Sequence, residues 1–465
     1  MKLNNKDLAG NLPQKDRNYR ETIMNNAYLK KSLVALAIAV ASSQAHSAAF
    51  QLNEHSASGL GRAFAGEAAI ADNASVLARN PAAMTMFDKM AVSVAGTYIQ
   101  PDVEVDGSVY NNSTKLASSS EKDIAPSAFV PAAYFIQPLK EDLAWGIAMF
   151  SNYGLSTEYP TDFSAGTIAG DTELKTFNIN PNLAYKIAPN FSLGAGVNFV
   201  YAEAELNRYA GYTANSLSAL GVKSDTQISH LKGDDWGFGW NIGALYEVNK
   251  DHRFALTYRS KVDLDFKGDY SNDLPVHAAT TSNGLNPMGG KSVSAGLNIT
   301  LPAMAEFAGY HRLNQQFAVH YSVNWVDWSA FEELKATGSS CSFKGQAGVC
   351  LQKDEKFKDA WRYAIGGTWY INPSWEARVG FAYDQSPIQA EYRSLSIPDS
   401  DRVWYSTGAT YHINLDMSVD FGLTYIDGKE VSVSEGLSTH TGQPRWVGTS
   451  HGDAYLAAAQ FNMKF

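Results

Sequence analysis

Segments in which apolar and polar residues alternate constrain this chain more than any other feature. In residues 417–425 every odd position is apolar or aromatic and every even position is polar or glycine. Similar runs occupy residues 375–384, 317–325 and 236–247. A period of two is that of a β-strand with one apolar face. A soluble sandwich also alternates, but long strands with aromatic ends and a charged opposite face are typical of a barrel that is apolar outside and polar within.

The connections between these segments test the barrel independently, because outer-membrane barrels alternate short periplasmic turns with long extracellular loops. We predict strands near residues 90–105, 124–138, 143–157, 172–187, 191–209, 226–248, 253–268, 291–310, 316–333, 356–371, 374–391, 401–412, 416–432 and 453–465. The connections are then alternately short and long along the whole chain. The sequence therefore predicts an all-β protein, a 14-stranded antiparallel transmembrane β-barrel with both ends of the barrel in the periplasm.

The N-terminus is typical of an exported protein. Lys30 and Lys31 precede the apolar run 32–43, and Ala45-His46-Ser47 supplies small residues for cleavage before Ala48. This run is too short to be a membrane-spanning helix, which needs about 20 apolar residues. We predict that residues 1–47 are an N-terminal extension and signal peptide, and that the protein resides in the outer membrane of a Gram-negative bacterium.

Residues 48–89 form the one part of the exported chain that does not alternate. They are rich in Gly, Ala and Ser, and Asn80-Pro81-Ala82 is typical of a turn. A barrel of 14 strands has a lumen that side chains alone do not fill. We therefore predict that residues 48–89 are a hatch inside a barrel formed by residues 90–465. Five charged residues of the wall are expected to face the lumen and pair with the hatch or with water: Arg259, Lys261, Asp263, Arg378 and Asp420.

The remaining composition excludes several classes of partner. The formal net charge of −10 argues against nucleic acid, whose phosphates require clustered Lys and Arg. The ten histidines show no metal-binding spacing, so we predict no metal and no cofactor. Cys341 and Cys350 are the only cysteines, and in an exported protein we expect them to form a disulfide.

Several segments resemble the FadL family of outer-membrane transporters of long-chain fatty acids. The resemblance is carried by AFQLNEHSASGLGRAFAGEAAIADNASVLARNPAAMTMFD (49–88), IAPSAFVPAAYF (124–135), WGIAMFSNYGL (145–155), WGFGWNIGALYE (236–247), LQKDEKFKDAWR (351–362) and SLSIPDSDRVW (394–404). These segments follow in order over nearly the whole exported chain. The resemblance implies a 14-stranded barrel with an N-terminal hatch, in agreement with the strand count.

The resemblance also implies a mechanism. A fatty acid would bind among the extracellular loops, pass to a site beside the hatch N-terminus and leave through a gap in the wall. The third strand shows a break that fits such a gap, because polar Ser151 follows Trp145, Ile147 and Met149 in the lipid-facing phase. The kink of the family corresponds to Ser151, Asn152, Tyr153 and Gly154, and glycine within a strand marks a bulge or a close approach.

The resemblance assigns three ligand-binding residues. Arg208 and Lys353 match basic positions near the carboxylate of the ligand, and Phe50 matches a hatch aromatic that contacts the tail. Gly243 matches a small position beside the hatch. The loop 210–225 is shorter than the helix-bearing loop of the family, and the cysteines lie in the fifth long loop.

Two other functions remain open. The same fold could take up aromatic or other hydrophobic hydrocarbons, although these need no cationic partner such as Arg208 or Lys353. A lipase is less favoured, because the G-x-S-x-G pattern at 448–452 needs a strand–turn–helix context and is expected in a loop. We expect long-chain fatty acids or similar hydrophobic ligands and outer-membrane lipids as partners, no nucleic acid, and a monomer.

Overall fold

The computed structural model describes residues 49–276, 287–343, 346–437 and 444–465. The predicted extension, signal peptide and cleavage site lie outside these residues. Alternating sequences form extended strands, and the described strands join into one antiparallel sheet. The strands are β1 (Ala91–Asn111), β2 (Thr114–Ser118), β3 (Ala128–Lys140), β4 (Leu143–Phe150), β5 (Gly154–Thr157), β6 (Thr172–Ala188), β7 (Phe191–Tyr209), β8 (Gln227–Asn249), β9 (His252–Arg259), β10 (Val262–Ser271), β11 (Ser292–Leu301), β12 (Met304–Arg312), β13 (Phe317–Val326), β14 (Glu333–Phe343), β15 (Gln346–Asp354), β16 (Ala360–Asn372), β17 (Trp375–Asp384), β18 (Arg402–His412), β19 (Met417–Gly428), β20 (Val431–Gly436) and β21 (Arg445–Lys464).

The sheet closes into the predicted barrel of fourteen wall strands, which confirms the fold class. Six wall strands consist of two consecutive pieces: β4 with β5, β9 with β10, β11 with β12, β13 with β14, β15 with β16, and β19 with β20. β1 pairs with β21 from Ala91 opposite Lys464 to Tyr110 opposite Arg445, so the first and last strands complete the wall. β2 is an additional strand that folds back on the end of β1.

Several expected strand boundaries are wrong, and β14 and β15 occupy most of the expected loop 334–355. β21 begins at Arg445 rather than near residue 453, so Ser450 lies inside a strand, opposite Val105 of β1. The G-x-S-x-G pattern therefore has no turn or helix around it in the structure. β17 ends at Asp384, and the following residues, 385–401, fold inward, where Leu395 and Ile397 are buried.

The hatch lies inside the barrel. From Ala49 onward it consists of short turns and helices, most of whose residues are buried. Its helical segments are the α-helices Ala57–Leu60 and Glu67–Ile70 and the 3-10 helices Ala74–Ala78 and Pro81–Met86. Ionic contacts hold the hatch together and fix it to the wall: Arg62 lies 2.6 Å from Glu67 and 3.0 Å from Asp72, and Arg378 of β17 lies 3.6 Å from Asp72.

The remaining described helices are single turns in loops. They are Gly211–Thr213, Ala214–Leu217, Ser218–Leu220, Trp328–Ala330 and Ala390–Tyr392. None of the helices in the described part of the chain is long and apolar enough to cross a membrane.

Three of the five wall charges face the lumen as expected, and two do not. Arg259, Arg378 and Asp420 are buried, whereas Lys261 and Asp263 are exposed and pair with each other outside. The reason is the interruption between β9 and β10. Arg259 ends β9 facing inward and Val262 begins β10 facing inward, so the phase of the seventh wall strand changes at Ser260 and Lys261.

The faces of several strands change character along their length. In β7, apolar Leu193, Val197 and Phe199 face outward near the periplasmic end, whereas Glu203 and Glu205 face outward further along. The inward face changes in the opposite sense, from Asn198 to Ala202, Ala204 and Leu206. The extracellular part of the wall is therefore charged outside and apolar within, which is the reverse of its membrane-embedded part.

Candidate ligand-binding site

An apolar cavity of about 50 Å³ lies inside the extracellular part of the barrel. This volume is well below the roughly 300–1,000 Å³ of sites that bind drug-sized molecules, so a long ligand must displace lining side chains to enter. Most of its lining is apolar and comes from the inward faces of β5, β6, β7, β8, β10 and β11, closed by Phe50 of the hatch and by Phe331, Leu334 and Ile397 from loops and β14.

Short side chains on neighbouring strands create this space. In the sheet register, Ala204 lies opposite Gly233, Gly233 opposite Gly268, and Gly268 opposite Ala295. These paired residues form a row across the strands, which we call the cavity row. Leu174, opposite Ala204, and Leu155, opposite Leu174, continue the row with larger side chains. A Cβ atom on Gly268 would overlap the carbonyl oxygen of Lys232, so the backbones of β8 and β10 can pack this way only with glycine there.

Phe50 closes the cavity on the hatch side within a group of aromatic rings. Its ring centroid lies 4.5 Å from that of Trp328 and 5.3 Å from that of Phe331, both in edge-on orientation, and 6.1 Å from that of Tyr153. The side chain is almost fully buried. A ligand that enlarged the cavity would have to displace this ring or its neighbours.

Arg208, near the extracellular end of β7, lies beside the cavity although it does not line it. Its guanidinium donates to the carbonyl oxygens of Asp171 and Asn207, at 3.1 and 2.7 Å, and to the hydroxyls of Thr172 and Ser396, at 3.2 and 2.8 Å. Thr172 lines the cavity, as does Ile397 next to Ser396. Each of these four acceptors is neutral, so none of them pairs the positive charge of Arg208 directly with a carboxylate.

Lys353, on β15, has a different environment. Its Nζ lies 3.2 Å from Glu435 and 3.4 Å from Glu355, so two carboxylates already surround it. Its partner across the strand pair is Leu334, which lines the cavity. The structure thus brings Lys353 to the same region as Arg208 but pairs it with acidic groups.

The third wall strand is interrupted where the kink was expected. β4 pairs with both β3 and β6, whereas β5 pairs with β6 and, among the described strands, with no other. Ser151 donates its hydroxyl to the carbonyl of Thr176, and Asn152 accepts a hydrogen bond from Asn178. One backbone edge of the segment around Tyr153 is therefore not covered by the preceding wall strand.

The N-terminal residues of the hatch cover that edge. Gln51 and Tyr153 form an antiparallel bridge, in which the N–H of Leu52 donates to the carbonyl of Asn152 at 2.7 Å and the N–H of Gly154 donates to the carbonyl of Phe50 at 2.8 Å. Phe50 thus closes the cavity with its ring and helps to close the wall with its backbone.

The other hatch residues singled out by sequence also meet the wall. Asn80 caps the 3-10 helix that begins at Pro81, because its side-chain oxygen accepts a hydrogen bond from the N–H of Ala82 at 3.0 Å. A Cβ atom on Gly243 would overlap this side chain and approach Pro81. The absence of a side chain at Gly243 therefore lets the hatch lie directly against β8.

Comparison with known proteins agrees with this architecture. A family model described as outer membrane protein transport protein (OMPP1/FadL/TodX) matches residues 38–465. The chain belongs to this family. A relative named long-chain fatty acid transport protein, from Escherichia coli O6:H1, is 44% identical over 94% of this chain and 98% of its own length. Like its relatives, this OMPP1/FadL/TodX protein is located in the outer membrane.

Two solved structures share the fold of this OMPP1/FadL/TodX protein. The FadL homologue from Pseudomonas aeruginosa has a TM-score of 0.79 at 22% identity, and covers 90% of this chain and all of its own. The toluene transporter TbuX from Ralstonia pickettii has a TM-score of 0.63 at 17% identity, and covers 89% of this chain and 99% of its own.

In this FadL-family protein the apolar lining of the cavity was missed by reasoning from the sequence. A rule of apolar outside and polar within does not indicate that Leu174, Leu231 and Phe266 line a cavity, although the phase of β7 does place Ala204 and Leu206 in the lumen with Arg208. A signal existed: in β7 the apolar phase changes from the odd to the even positions near Val200. Such a change marks the point where the wall leaves the membrane.

The two cysteines of this FadL-family protein are joined by a disulfide, with their Cα atoms 4.8 Å apart. The bond links β14 to β15, the hairpin that carries Leu334 and Lys353. Both cysteines are buried in the same apolar cluster as Phe50 and Phe331. The disulfide therefore packs in the same apolar cluster as two residues that line the cavity, Phe50 and Phe331.

Proposed function

We propose that this protein is a passive channel for the uptake of long-chain fatty acids across the outer membrane. The observation that carries the proposal is the combination of an apolar cavity with a buried arginine, Arg208, whose hydrogen bonds all end on neutral oxygens. A long apolar tail and a single carboxylate match these two features. The name of the E. coli relative supports the same ligand class.

The release route in this proposal passes through the gap beside β5. Movement of Phe50 would break its backbone hydrogen bond to Gly154 and, with Leu52, uncover the edge of the kink formed by residues 151–154. The tail could then enter the outer leaflet without crossing water, which would cost about 0.8 kcal/mol for each exposed methylene. Only the first residues of the hatch need to move, while the ion pairs of Arg62 keep its body in place.

The domain roles follow from this route. Residues 48–89 act as the hatch and residues 90–465 as the barrel, and the protein transports its ligand without chemical change. A chemical role for Ser450 finds no support, since this residue is buried within a strand pair.

Uptake of an uncharged aromatic hydrocarbon is the second candidate, favoured by the likeness to the TbuX fold and by the aromatic group around Phe50. Titration of the purified protein in nanodiscs with oleate and with toluene distinguishes the two. We expect saturable oleate binding that Arg208→Ala weakens. Tight toluene binding with no oleate binding would instead favour the hydrocarbon channel.

A further inference from the structure

The charged groups near Arg208 form one connected cluster, which we call the head-group cluster. Arg208 donates to the hydroxyl of Ser396, and the preceding residue, Leu395, donates its N–H to Glu435 at 2.9 Å. Glu435 in turn lies 3.2 Å from Lys353, and Lys353 lies 3.4 Å from Glu355. The head-group cluster comprises Arg208, Lys353, Glu355 and Glu435.

The charges of this cluster cancel before any ligand arrives. The cluster contains two cations, Arg208 and Lys353, and two carboxylates, Glu355 and Glu435. The charges that act on Glu355 come from the other three members of the cluster. Two further titratable groups lie beside Arg208. Tyr159 donates its hydroxyl to the carbonyl of Leu395, and Asp171, which is partly exposed, accepts hydrogen bonds from Asn207 and Tyr209.

A ligand carboxylate would therefore add one uncompensated negative charge to a largely buried cluster. An unpaired charge in such a place is unfavourable unless a group nearby changes its protonation. Protonation of one carboxyl of the cluster would restore the balance.

Glu355 is the carboxyl best placed to take this proton. Glu355 directly follows β15. No large apolar residue in this part of the chain is exposed on the outer surface, so Glu355 lies outside the membrane-spanning part of the wall. Its side chain is fully buried, and apart from the ion pair with Lys353 neither carboxylate oxygen accepts a hydrogen bond from a described group. Burial raises the pKa of Glu355, although the nearby Lys353 opposes this shift. Glu435, by contrast, accepts a hydrogen bond from the N–H of Leu395 and also contacts Lys353.

We propose that Glu355 takes up a proton when an anionic amphiphile binds beside Arg208, so that ligand and proton bind together. The protonation state of Glu355 then determines which head group the site accepts: an anionic one when Glu355 is protonated, a neutral one when it is ionised. This inference rests on the proposed function, since it assumes that an amphiphile occupies the cavity.

The direction of the pH dependence follows from proton uptake. The complex with an anion holds one more proton than the free protein, so affinity for the anion falls as pH rises, by up to about tenfold per pH unit. A neutral amphiphile binds without a proton, and its affinity does not change with pH in this way.

The test uses hexadecyl sulfonate, which stays anionic throughout the pH range, with hexadecanol as the neutral probe. Calorimetric titration of the full-length protein in nanodiscs, repeated in buffers of different ionisation enthalpy, counts the protons exchanged. We expect the wild type to take up close to one proton per sulfonate and none per hexadecanol. Glu355→Gln should bind the sulfonate without proton uptake and with little pH dependence.

Asp354→Asn is the matched control, because it removes a neighbouring exposed carboxylate outside the head-group cluster and should leave proton uptake unchanged. Resistance of each variant to unfolding by detergent, seen as a gel shift on heating, checks the fold. Sulfonate binding to the wild type without proton uptake would overturn the inference, as would uptake that persists in Glu355→Gln. Failure of both sulfonate and oleate to bind would instead contradict the proposed function.

Discussion

Arg208 and Lys353 carry the same charge but occupy different electrostatic environments. The guanidinium of Arg208 is surrounded by neutral oxygens, whereas the ammonium of Lys353 lies between Glu355 and Glu435. The sequence pointed to both residues as equal partners of a carboxylate, because the positions of counter-charges on distant strands cannot be inferred from local spacing. On the proposed function, Arg208 is the direct partner of the carboxylate and Lys353 neutralises Glu355 and Glu435.

This difference predicts a selective defect in Arg208→Ala. Hydrogen bonds to a charged group contribute about 1.5–3 kcal/mol, so oleate affinity should fall about 10- to 150-fold. Affinity for oleyl alcohol, which carries no charge, should change far less. Displacement of a fluorescent fatty acid from protein in nanodiscs measures both. An equal loss for the two ligands would mean that Arg208 acts only through its bonds to Thr172 and Ser396.

Among the structural elements, the strands β7, β8, β10 and β11 determine the shape of the cavity through their register. Small residues meet at one level, and Gly268 in particular admits no side chain. The alternation of each strand could be predicted from sequence. Which residues of different strands share a level could not, because register depends on interruptions such as the one at Ser260 and Lys261.

A larger side chain in the cavity row, which includes Ala204, should limit the cavity to ligands with shorter tails. Ala204→Leu places a larger side chain in the cavity, where overpacking costs about 1–3 kcal/mol, so oleate affinity should fall about 5- to 150-fold. Affinity for decanoate should change less than threefold if its shorter tail does not reach the row. Ala195→Leu is the matched control, since it lies on the same strand but faces outward. Equal loss for both fatty acids would indicate general distortion instead.

The hatch N-terminus is the second element with a predicted role, because it pairs with the third wall strand. Gln51 and Tyr153 lie directly opposite each other as a non-hydrogen-bonded antiparallel pair, because the hydrogen bonds are made by their neighbours in the chain. In such a pair the two Cα atoms are about 4.5 Å apart. That separation lies within the range that a disulfide tolerates.

A disulfide between Gln51→Cys and Tyr153→Cys should therefore permit oleate binding but stop uptake. Uptake into cells expressing the oxidised variant, compared with the reduced variant and with each single variant, is the measurement. Reduced wild type controls for the native disulfide. Normal uptake by the fully cross-linked protein would show that this edge need not open.

At the scale of the whole molecule, the fold was predictable because the membrane imposes one pattern on every strand that crosses it. Fourteen strands, their short turns and the internal position of the hatch follow from that pattern. The loops follow no such rule. The inward fold of residues 385–401, which brings Ser396 to Arg208, has no repeat or spacing in the sequence that indicates it.

The native disulfide should matter locally rather than for the barrel. Replacement of both cysteines by serine removes a link within one hairpin, β14–β15, while the wall closure between β1 and β21 stays intact. We expect an unchanged gel shift on heating, faster proteolysis within residues 333–354 and a two- to fivefold weaker oleate affinity, an effect of about 0.4–1 kcal/mol. Loss of the gel shift would show that the hairpin supports the whole barrel.

The reversal of strand faces along the wall has a consequence for the order of events during transport. At the level of the cavity the outer surface carries Glu173, Glu205 and Lys232 in register, and Lys232 lies 2.9 Å from Glu205. A tail held there is separated from the surroundings by a charged surface rather than by lipid. On the proposed route the ligand binds in the part of the barrel above the bilayer and is released at the level of the outer leaflet. Binding and release therefore occur at different positions along the barrel axis.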